Sequence, residues 1–336
     1  MWTTSPTHPS PTVSLLAGGR LGVAGGSQLT TVNCVVQGRR IDWGKWAITS
    51  NDPVFKGSGN PDTGEDYGPA PDLDHSNPEL RAALVEWLRW LQRDLGFEGW
   101  RFDFARGYGA RFITEYVDAT TGADALNVGE VWVDMRWQGS NLEYNQDEAR
   151  QRLCDWVRAT GERSCAFDFP TKGILQEAVK RTQYDRLRDK QGKAPGLIGW
   201  WPGRAVTFVD NHDTGSTQQH WPFPAANVGI GYAYILTHPG IPCIFWDHLL
   251  RGDLRDTIAK LAALRRRAGV LADSPLEILA AEPDMYVARV ANSLTVKMGP
   301  RFDMGALLPQ ERDGWQFVMS GKDWAVWERS GGLKQA

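Results

Sequence analysis

The sequence predicts an α/β fold in which parallel strands alternate with helices, followed by a separate antiparallel β-sheet. Two patterns support this prediction. Between residues 76 and 272, short apolar segments alternate with helical segments, as in a parallel sheet that is either open or closed into a barrel. From residue 275 onward the apolar residues recur with a period of two, which is typical of antiparallel strands.

The first helix is predicted directly after a loop-rich segment. Asn77 and Pro78 suit the N-cap and first-turn positions, and Gly96 suits the end of the helix. Between them, apolar residues spaced three and four apart form one face of the helix. These apolar residues are Leu80, Leu84, Trp87, Leu88, Leu91 and Leu95.

Five apolar strands are predicted after this helix, each leading into a helical or loop segment. They cover residues 99–104, 126–132, 165–169, 205–213 and 241–246, and a helix over 254–269 closes the series. Antiparallel strands follow at 276–281, 285–290, 293–299, 315–321 and 324–329. We therefore expect four segments: a leader (1–32), a loop-built segment (33–75), the strand–helix region (76–272) and a C-terminal β domain (273–336).

Composition excludes several classes of protein. The 336 residues are 42% hydrophobic and 23% charged, with a net charge of −3, so a sizeable core is expected. Neither nucleic acid nor an anionic membrane suits a chain without a basic excess, and no apolar run reaches the length of about 18 residues that a membrane helix needs. The four cysteines lack a zinc-like or disulfide-framework spacing.

Residues 1–32 differ in composition from the rest of the chain. They are rich in Ser, Thr, Pro and Gly, and no acidic residue precedes Asp42. This composition fits an organelle transit peptide, and equally an unrelated or disordered leader. Plastid and extracellular locations both stay open.

Three acidic residues stand at the C-terminal ends of predicted strands, namely Asp103, Glu130 and Asp213. Active sites of strand–helix barrels lie at this end, and a carboxylate among apolar strand residues needs either a partner or a function. One such residue alone would favour a structural ion pair. Three residues that converge on one rim favour catalysis.

The motifs around these carboxylates resemble those of plant-type α-amylases. GWRFDFARGY resembles the nucleophile motif, GEVW the acid/base motif, and FVDNHDTGSTQ the motif of the third carboxylate. GKAPGLIGWWP, WPFP, GYAYILTHPGIPCIFWDH and DWAVWER extend the resemblance over residues 33–330. It implies a (β/α)8 TIM-type barrel with a calcium-binding loop domain and a C-terminal antiparallel β-sheet domain. No D-x-x-x-N-H motif precedes Asp42, so we expect an incomplete, N-terminally truncated barrel that lacks its first three strands.

The resemblance implies a role for each carboxylate. Asp103 would be the nucleophile, Glu130 the general acid and base, and Asp213 the group that stabilises the oxocarbenium-like state. His212 would hydrogen-bond the substrate. Independently of the resemblance, Arg101 stands two residues before Asp103 on the same strand face and would hold that carboxylate ionised, as a retaining mechanism requires.

Other side chains are implied to bind sugar. Arg106 and Trp132 would line the cleft, Trp132 on its leaving-group side, and the pair Trp200 and Trp201 would form a surface starch-binding site. Neighbouring tryptophans point in different directions, so one of the pair is expected in the core. Phe302 stands where some relatives carry a sugar-clamping tyrosine, and its missing hydroxyl argues against a second surface site.

The acidic loop segment suits calcium, a hard cation that takes six to eight oxygen ligands, although aspartates also serve as turn residues. The resemblance implies two neighbouring sites. The donors of the first are Asp62, Asp72 and the carbonyls of Glu65 and Gly107. The donors of the second are Asp52, Asp66, Asp72 and the carbonyls of Tyr67 and Ala70. A third site is not expected, because Gln37 replaces an acidic ligand.

The expected function is endo-hydrolysis of α-1,4-glucosidic bonds by a retaining two-carboxylate mechanism. The expected partners are starch, glycogen-like glucans or maltooligosaccharides, bound by a monomer. One alternative stays open, a catalytically inactive, amylase-like protein that only binds starch. A related enzyme acting on sucrose, trehalose or branched glucan is disfavoured by the plant-type GWWP and WPFP segments.

Overall fold

The computed structural model describes residues 43–329, together with the backbone of four strands nearer the N-terminus. The chain divides into two compact units. The first unit comprises Trp2–Trp132 and Asp155–Ala166, and the second comprises Val133–Cys154 and Phe167–Ala336.

The elements follow in chain order. Up to the middle of the chain they are β1 (Trp2–Thr4), β2 (Pro9–Leu15), β3 (Cys34–Val36), β4 (Arg39–Ile41), α1 (Pro78–Leu95), β5 (Gly99–Phe102), α2 (Arg111–Asp118), β6 (Val128–Gly129), β7 (Trp137–Gln138), β8 (Asn141–Leu142), α3 (Asp147–Ala159) and β9 (Cys165–Phe167). The remaining ones are α4 (Phe169–Arg181), α5 (Leu197–Trp200), β10 (Ala205–Phe208), α6 (Val228–Thr237), β11 (Ile241–Cys243), α7 (Trp246–Leu249), α8 (Gly252–Arg267), β12 (Leu276–Glu282), β13 (Met285–Val290), β14 (Leu294–Met298), β15 (Trp315–Gly321) and β16 (Trp324–Arg329).

Helix α1 begins and ends where the sequence predicts. The Asn77 side chain accepts a hydrogen bond from the backbone of Glu79, Pro78 occupies the first turn, and Gly96 ends the helix with a φ of 74°. Only a residue that tolerates the left-handed region terminates a helix in this way. Of the predicted apolar face, Leu80, Leu84, Leu88 and Leu91 are buried, whereas Leu95 is 51% exposed.

Parallel strands of the first unit place two strand ends side by side. Strand β5 lies between β2 and β6, and β6 pairs in turn with β9. All four residues of β5 are buried. In the register of β5 and β6, Arg101 stands opposite Val128. The residues that follow these two strands therefore emerge at one edge of the sheet.

The N-terminal segment differs from the expectation for residues 1–32, which assigned no strand to it. Strands β1 and β2 fall there, and β2 pairs in parallel with β5. Pairing satisfies backbone groups of β5 that an open sheet edge would leave exposed. The prolines of β2 broke the apolar alternation from which strands are predicted. The other residues of this segment, and Gln37, lie outside the described residues.

The second unit contains the parallel pair β10 and β11 and the C-terminal sheet. This sheet is antiparallel, with the order β12-β13-β14-β16-β15. All five residues of β14 are buried, as is expected of a central strand. The five predicted parallel strands and the five predicted antiparallel strands are thus all confirmed.

Candidate active site and cation site

One buried guanidinium bridges two of the predicted catalytic carboxylates. Asp103 follows β5 and Glu130 follows β6, so the pairing of these strands brings the two residues together. Arg101 Nη1 lies 2.7 Å from Asp103 Oδ1, and Arg101 Nη2 contacts Glu130 Oε2. The expected Arg101–Asp103 contact is present. The contact with Glu130 was not foreseen.

The backbone around Glu130 is fixed from both sides. Its N–H donates to Phe102 O over 2.8 Å, and its carbonyl accepts from Ala105 N over 3.0 Å. Behind the strand, a Cβ at Gly129 would lie 2.1 Å from the ring of Trp156. Trp156 Nε1 in turn donates to Ala105 O over 3.2 Å. The sequence analysis did not identify Trp156 as a functional residue. The one sequence feature that reflects its contact is the glycine at position 129, directly before Glu130.

Asp213 belongs to the second unit, in a loop after β10. The Asn211 side-chain carbonyl accepts from the backbone N–H groups of Asp213, over 3.1 Å, and Thr214, over 2.9 Å. Gln218 Nε2 donates to Asp213 Oδ1 over 2.6 Å, and His212 Nε2 lies 3.4 Å from the same oxygen. The His212 ring thus lies beside the Asp213 carboxylate, and its contact with substrate stays a prediction. The convergence of Asp213 with the first two carboxylates stays a prediction.

A buried carboxylate that the sequence did not single out supports this loop. Asp210 Oδ1 accepts from Thr214 Oγ1 over 3.0 Å and from Phe223 N over 3.2 Å. Burial raises the pKa of Asp210, while the nearby Lys172 ammonium opposes that rise. His248 Nε2 lies 3.8 Å from Asp210 Oδ2. Asp210 therefore connects Thr214, the residue after Asp213, with Phe223, and Gln218 lies between these two residues.

Three aspartates form an acidic cluster in the first unit. Oxygen atoms of Asp62, Asp66 and Asp72 all lie within 4.8 Å of one another. One oxygen of Asp62 is buried without a hydrogen-bond partner. Burial and the negative charges of Asp62 and Asp52 raise the pKa of Asp72 to about 7. A bound cation would relieve this repulsion and satisfy the unpaired oxygen.

A small pocket has Asp72 of this cluster in its lining. The lining also includes Tyr67, Ala70 and Gly107, which were predicted as carbonyl donors, together with Leu73, His75, Phe104 and Tyr108. The backbone of Gly64 packs closely against that of Gly107, since a Cβ at Gly64 would lie 2.3 Å from the carbonyl carbon of Gly107. Carboxylate oxygens such as those of the cluster are hard ligands of the kind that calcium takes.

The carboxylate of Asp52 is hydrogen-bonded to backbone amides. Its Oδ1 accepts from the backbone N–H groups of Val54 and Phe55, over 2.8 and 2.6 Å. Its Oδ2 accepts from Asp72 N over 3.0 Å. Both oxygens are thus engaged by backbone amides, and the described acidic cluster does not include Asp52. These hydrogen bonds fit a turn residue, and the predicted calcium contact of Asp52 stays a prediction.

Arg106 connects the acidic loop with the end of β6. Arg106 Nε lies 3.1 Å from Glu65 Oε2, and Arg106 Nη1 donates to Trp132 O over 2.7 Å. Trp132 itself is half-buried. The predicted contacts of Arg106 and Trp132 with sugar remain predictions, and Arg106 has a demonstrable role in joining two loops.

The predicted surface tryptophans lie in and after α5. Trp200 is 37% exposed, and Trp201 is half-buried, so neither is fully in the core as one was expected to be. Asp168, fully buried, accepts from the N–H groups of Leu197 and Ile198 and so caps α5. The side chain of Phe302, where the sequence argued against a second surface site, is 97% exposed.

Known proteins similar to this chain include several α-amylases. The family described as "Alpha-amylase C-terminal beta-sheet domain" matches residues 267–328. A probable α-amylase 2 of Arabidopsis thaliana is 48% identical over 87% of this chain and 68% of its own length. The chloroplastic α-amylase 3 of the same plant is 42% identical over 87% of this chain, and the match spans 32% of that longer protein. An α-amylase type B isozyme of Hordeum vulgare is 50% identical over 46% of this chain.

Solved structures agree with the fold. An Anoxybacillus α-amylase superposes with a TM-score of 0.55 at 18% identity, covering 79% of this chain and 66% of that chain. The α-amylase of Geobacillus thermoleovorans gives a TM-score of 0.54 at 17% identity, over 77% and 66% of the two chains. Within the described residues, no helix has the length and apolarity needed to cross a membrane. With its parallel strand–helix units, C-terminal β-sheet and 48% identity to a plant relative over most of both lengths, the chain belongs to the α-amylase family.

Proposed function

We propose that this protein is an α-amylase that cleaves internal α-1,4-glucosidic bonds of starch with retention of configuration. The observation that carries the proposal is the buried Arg101 guanidinium in contact with both Asp103 and Glu130. Retaining glycosidases need two carboxyl groups about 5–5.5 Å apart, one ionised and one protonated. The contact of a single guanidinium with both groups supports a short separation between them.

The reaction divides between the two carboxyl groups. Asp103 attacks the anomeric carbon while Glu130 protonates the departing glycosidic oxygen, which yields a glycosyl-enzyme ester and a shortened glucan. Glu130 then removes a proton from water, and the resulting attack releases Asp103. Arg101 stabilises Asp103 as an anion before attack and again as it leaves. Asp213 and His212 would bind sugar hydroxyls.

Calcium is the proposed cofactor. Asp62, Asp66 and Asp72, with the carbonyls of Tyr67, Ala70, Glu65 and Gly107, would hold it. The cation supplies positive charge that compensates for three clustered carboxylates and stabilises the loop. Arg106 would connect the stabilised loop to the acid/base residue, because it joins Glu65 of that loop to the backbone of Trp132, two residues after Glu130.

Starch and maltooligosaccharides are the proposed substrates. Plant α-amylases are among the relatives, and the Geobacillus thermoleovorans structure holds acarbose. The exposed ring of Trp200, with Trp201 beside it, offers a flat apolar surface for glucose units at the surface. The match to a chloroplastic enzyme makes the plastid one compartment compatible with this function.

The stereochemistry of the products tests the proposed mechanism. NMR of freshly cleaved maltooligosaccharide should show the α-anomer first, followed by mutarotation. An activated maltosyl fluoride should also leave a glycosyl group on the peptide that contains Asp103, detectable by mass spectrometry. Initial release of the β-anomer would contradict the double-displacement mechanism and the role of Asp103.

A further inference from the structure

Two exposed aromatic rings of the second unit each lie on a buried guanidinium. The centroid of Trp200 is 4.0 Å from Arg150 Cζ, and the centroid of Tyr144 is 3.9 Å from Arg186 Cζ. Trp200 is 37% and Tyr144 is 48% exposed. The arginines are 0% and 4% exposed. Each ring therefore covers a cation on its inner face.

Hydrogen bonds hold both guanidinium groups rigidly. Arg150 Nη1 lies 2.9 Å from Asp189 Oδ2, and its Nη2 donates to Ala194 O over 3.0 Å. Arg186 Nη1 donates to Leu142 O over 2.7 Å, and its Nε donates to Gln183 Oε1 over 2.8 Å. A ring that rests on a fixed plane loses little further conformational entropy when it binds a ligand.

The two rings belong to one region of the unit. Tyr144 and Arg150 lie six residues apart at the start of α3, while Arg186 and Asp189 lie three residues apart in the segment after α4. Tyr144 contacts Arg186, and Arg150 contacts Asp189. Three residues span at most about 11 Å, so the backbone positions of Arg186 and Asp189, which take part in the two contacts, lie within about that distance of each other.

We propose that Tyr144, supported by buried Arg186, is a second stacking position for an α-glucan beside Trp200. The inference rests on the proposed binding of glucan at Trp200. Glucose units present flat C–H faces that pack on aromatic rings, and the phenol hydroxyl adds a hydrogen-bonding group for sugar hydroxyls. Tyr144 differs from a scattered surface aromatic, which needs no explanation, in repeating the cation-backed construction of Trp200.

The test is binding to granular starch, measured by depletion in a Glu130→Gln background that prevents cleavage. Tyr144→Leu keeps an apolar cover over Arg186 but removes the flat ring, so it should weaken the affinity about tenfold, the factor expected for some 60 Å² of lost apolar contact. Tyr144→Phe should retain most of the affinity. Phe317→Ala is the matched control, since that exposed ring packs edge-on against Trp327 rather than on a cation.

The outcomes separate this inference from the proposed function. If Trp200→Ala weakens binding and Tyr144→Leu does not, the second stacking position is refuted and the surface site at Trp200 stands. If Tyr144→Phe loses as much affinity as Tyr144→Leu, the contact is made by the hydroxyl and stacking is refuted. If Trp200→Ala also binds normally, the surface site itself is refuted. Melting temperatures of all variants verify that each is folded.

Discussion

Lys172 and Asp210 form a buried ion pair, with 3.7 Å between Lys172 Nζ and Asp210 Oδ1 and side-chain exposures of 0% and 3%. Lys172 also contacts Gln176 Oε1 and the carbonyl of Trp221. Because Asp210 accepts from Thr214, the residue after Asp213, and from Phe223, the pair holds together the segment that begins beside Asp213. Removal of one partner of such a buried ion pair leaves the other charge buried without compensation, which destabilises the folded protein.

The stability of the protein should depend on pH through Lys172. Burial lowers the pKa of Lys172 from its ordinary value of 10.5 to about 7. Between these values the unfolded chain holds a proton that the folded chain has released, so stability rises with pH across this window and is lost as pH falls through about 7. Lys172→Met removes the dependence. Urea unfolding at about pH 7.5 and about pH 9.5 should show the wild type gaining roughly 2 kcal/mol over the variant.

Lys260→Met is the control for this experiment, because Lys260 is an exposed lysine of α8. It should leave the pH dependence of the wild type unchanged. A free energy difference between wild type and Lys172→Met that stays constant over the same interval would show that Lys172 keeps an ordinary pKa.

Removal of calcium should destabilise the protein through Asp72. If calcium is present at about 100–1,000 times its Kd, chelation should cost about 3–4 kcal/mol and lower the unfolding midpoint. Asp72→Ala should abolish this response and cost more than any other single aspartate change in the loop. Asp52→Ala should destabilise the turn but preserve the response, since backbone amides occupy both oxygens of Asp52. A midpoint that chelator does not move in the wild type would refute the calcium site.

A methyl group at Gly129 should disturb catalysis by displacing Glu130. Its Cβ would lie 2.1 Å from the Trp156 ring, an overlap that costs about 1–3 kcal/mol in a packed core. A shift of about 1 Å at the acid/base is expected to lower kcat about 100-fold. Gly203→Ala is the control, because its added Cβ meets no atom within 4 Å. Unchanged kcat in Gly129→Ala, measured on maltoheptaose, would mean that Trp156 does not position Glu130.

The sequence was informative where the structure depends on neighbouring residues. The caps Asn77 and Gly96 marked both ends of α1, because capping is a local interaction. Asp103 and Glu130 were identified because each follows a buried strand and carboxyl ends of parallel strands share one edge. The pattern also separated the parallel region from the antiparallel sheet.

Contacts between residues far apart in the chain could not be predicted from the sequence pattern. The residues next to Arg101 in the sequence do not indicate that it contacts Glu130 as well as Asp103. The residues next to Asp52 likewise do not indicate that its oxygens accept hydrogen bonds from three backbone amides. From its sequence context, Lys172 is an ordinary polar residue of a helix. In the structure it is fully buried and paired with Asp210, which lies 38 positions away in the chain. Such pairs depend on tertiary packing, which residue periodicity does not encode.

The most direct test of the central claim is the initial rate of reducing-sugar release from soluble starch by the purified protein and by Asp103→Asn. Removal of the nucleophile should lower the rate at least about 1,000-fold, with binding to granular starch nearly unchanged. Asp118→Asn, a change at an exposed carboxylate paired with Arg163, should keep the wild-type rate. A wild-type protein that binds starch but releases sugar no faster than Asp103→Asn would contradict the hydrolase account and support the alternative of a protein that only binds starch.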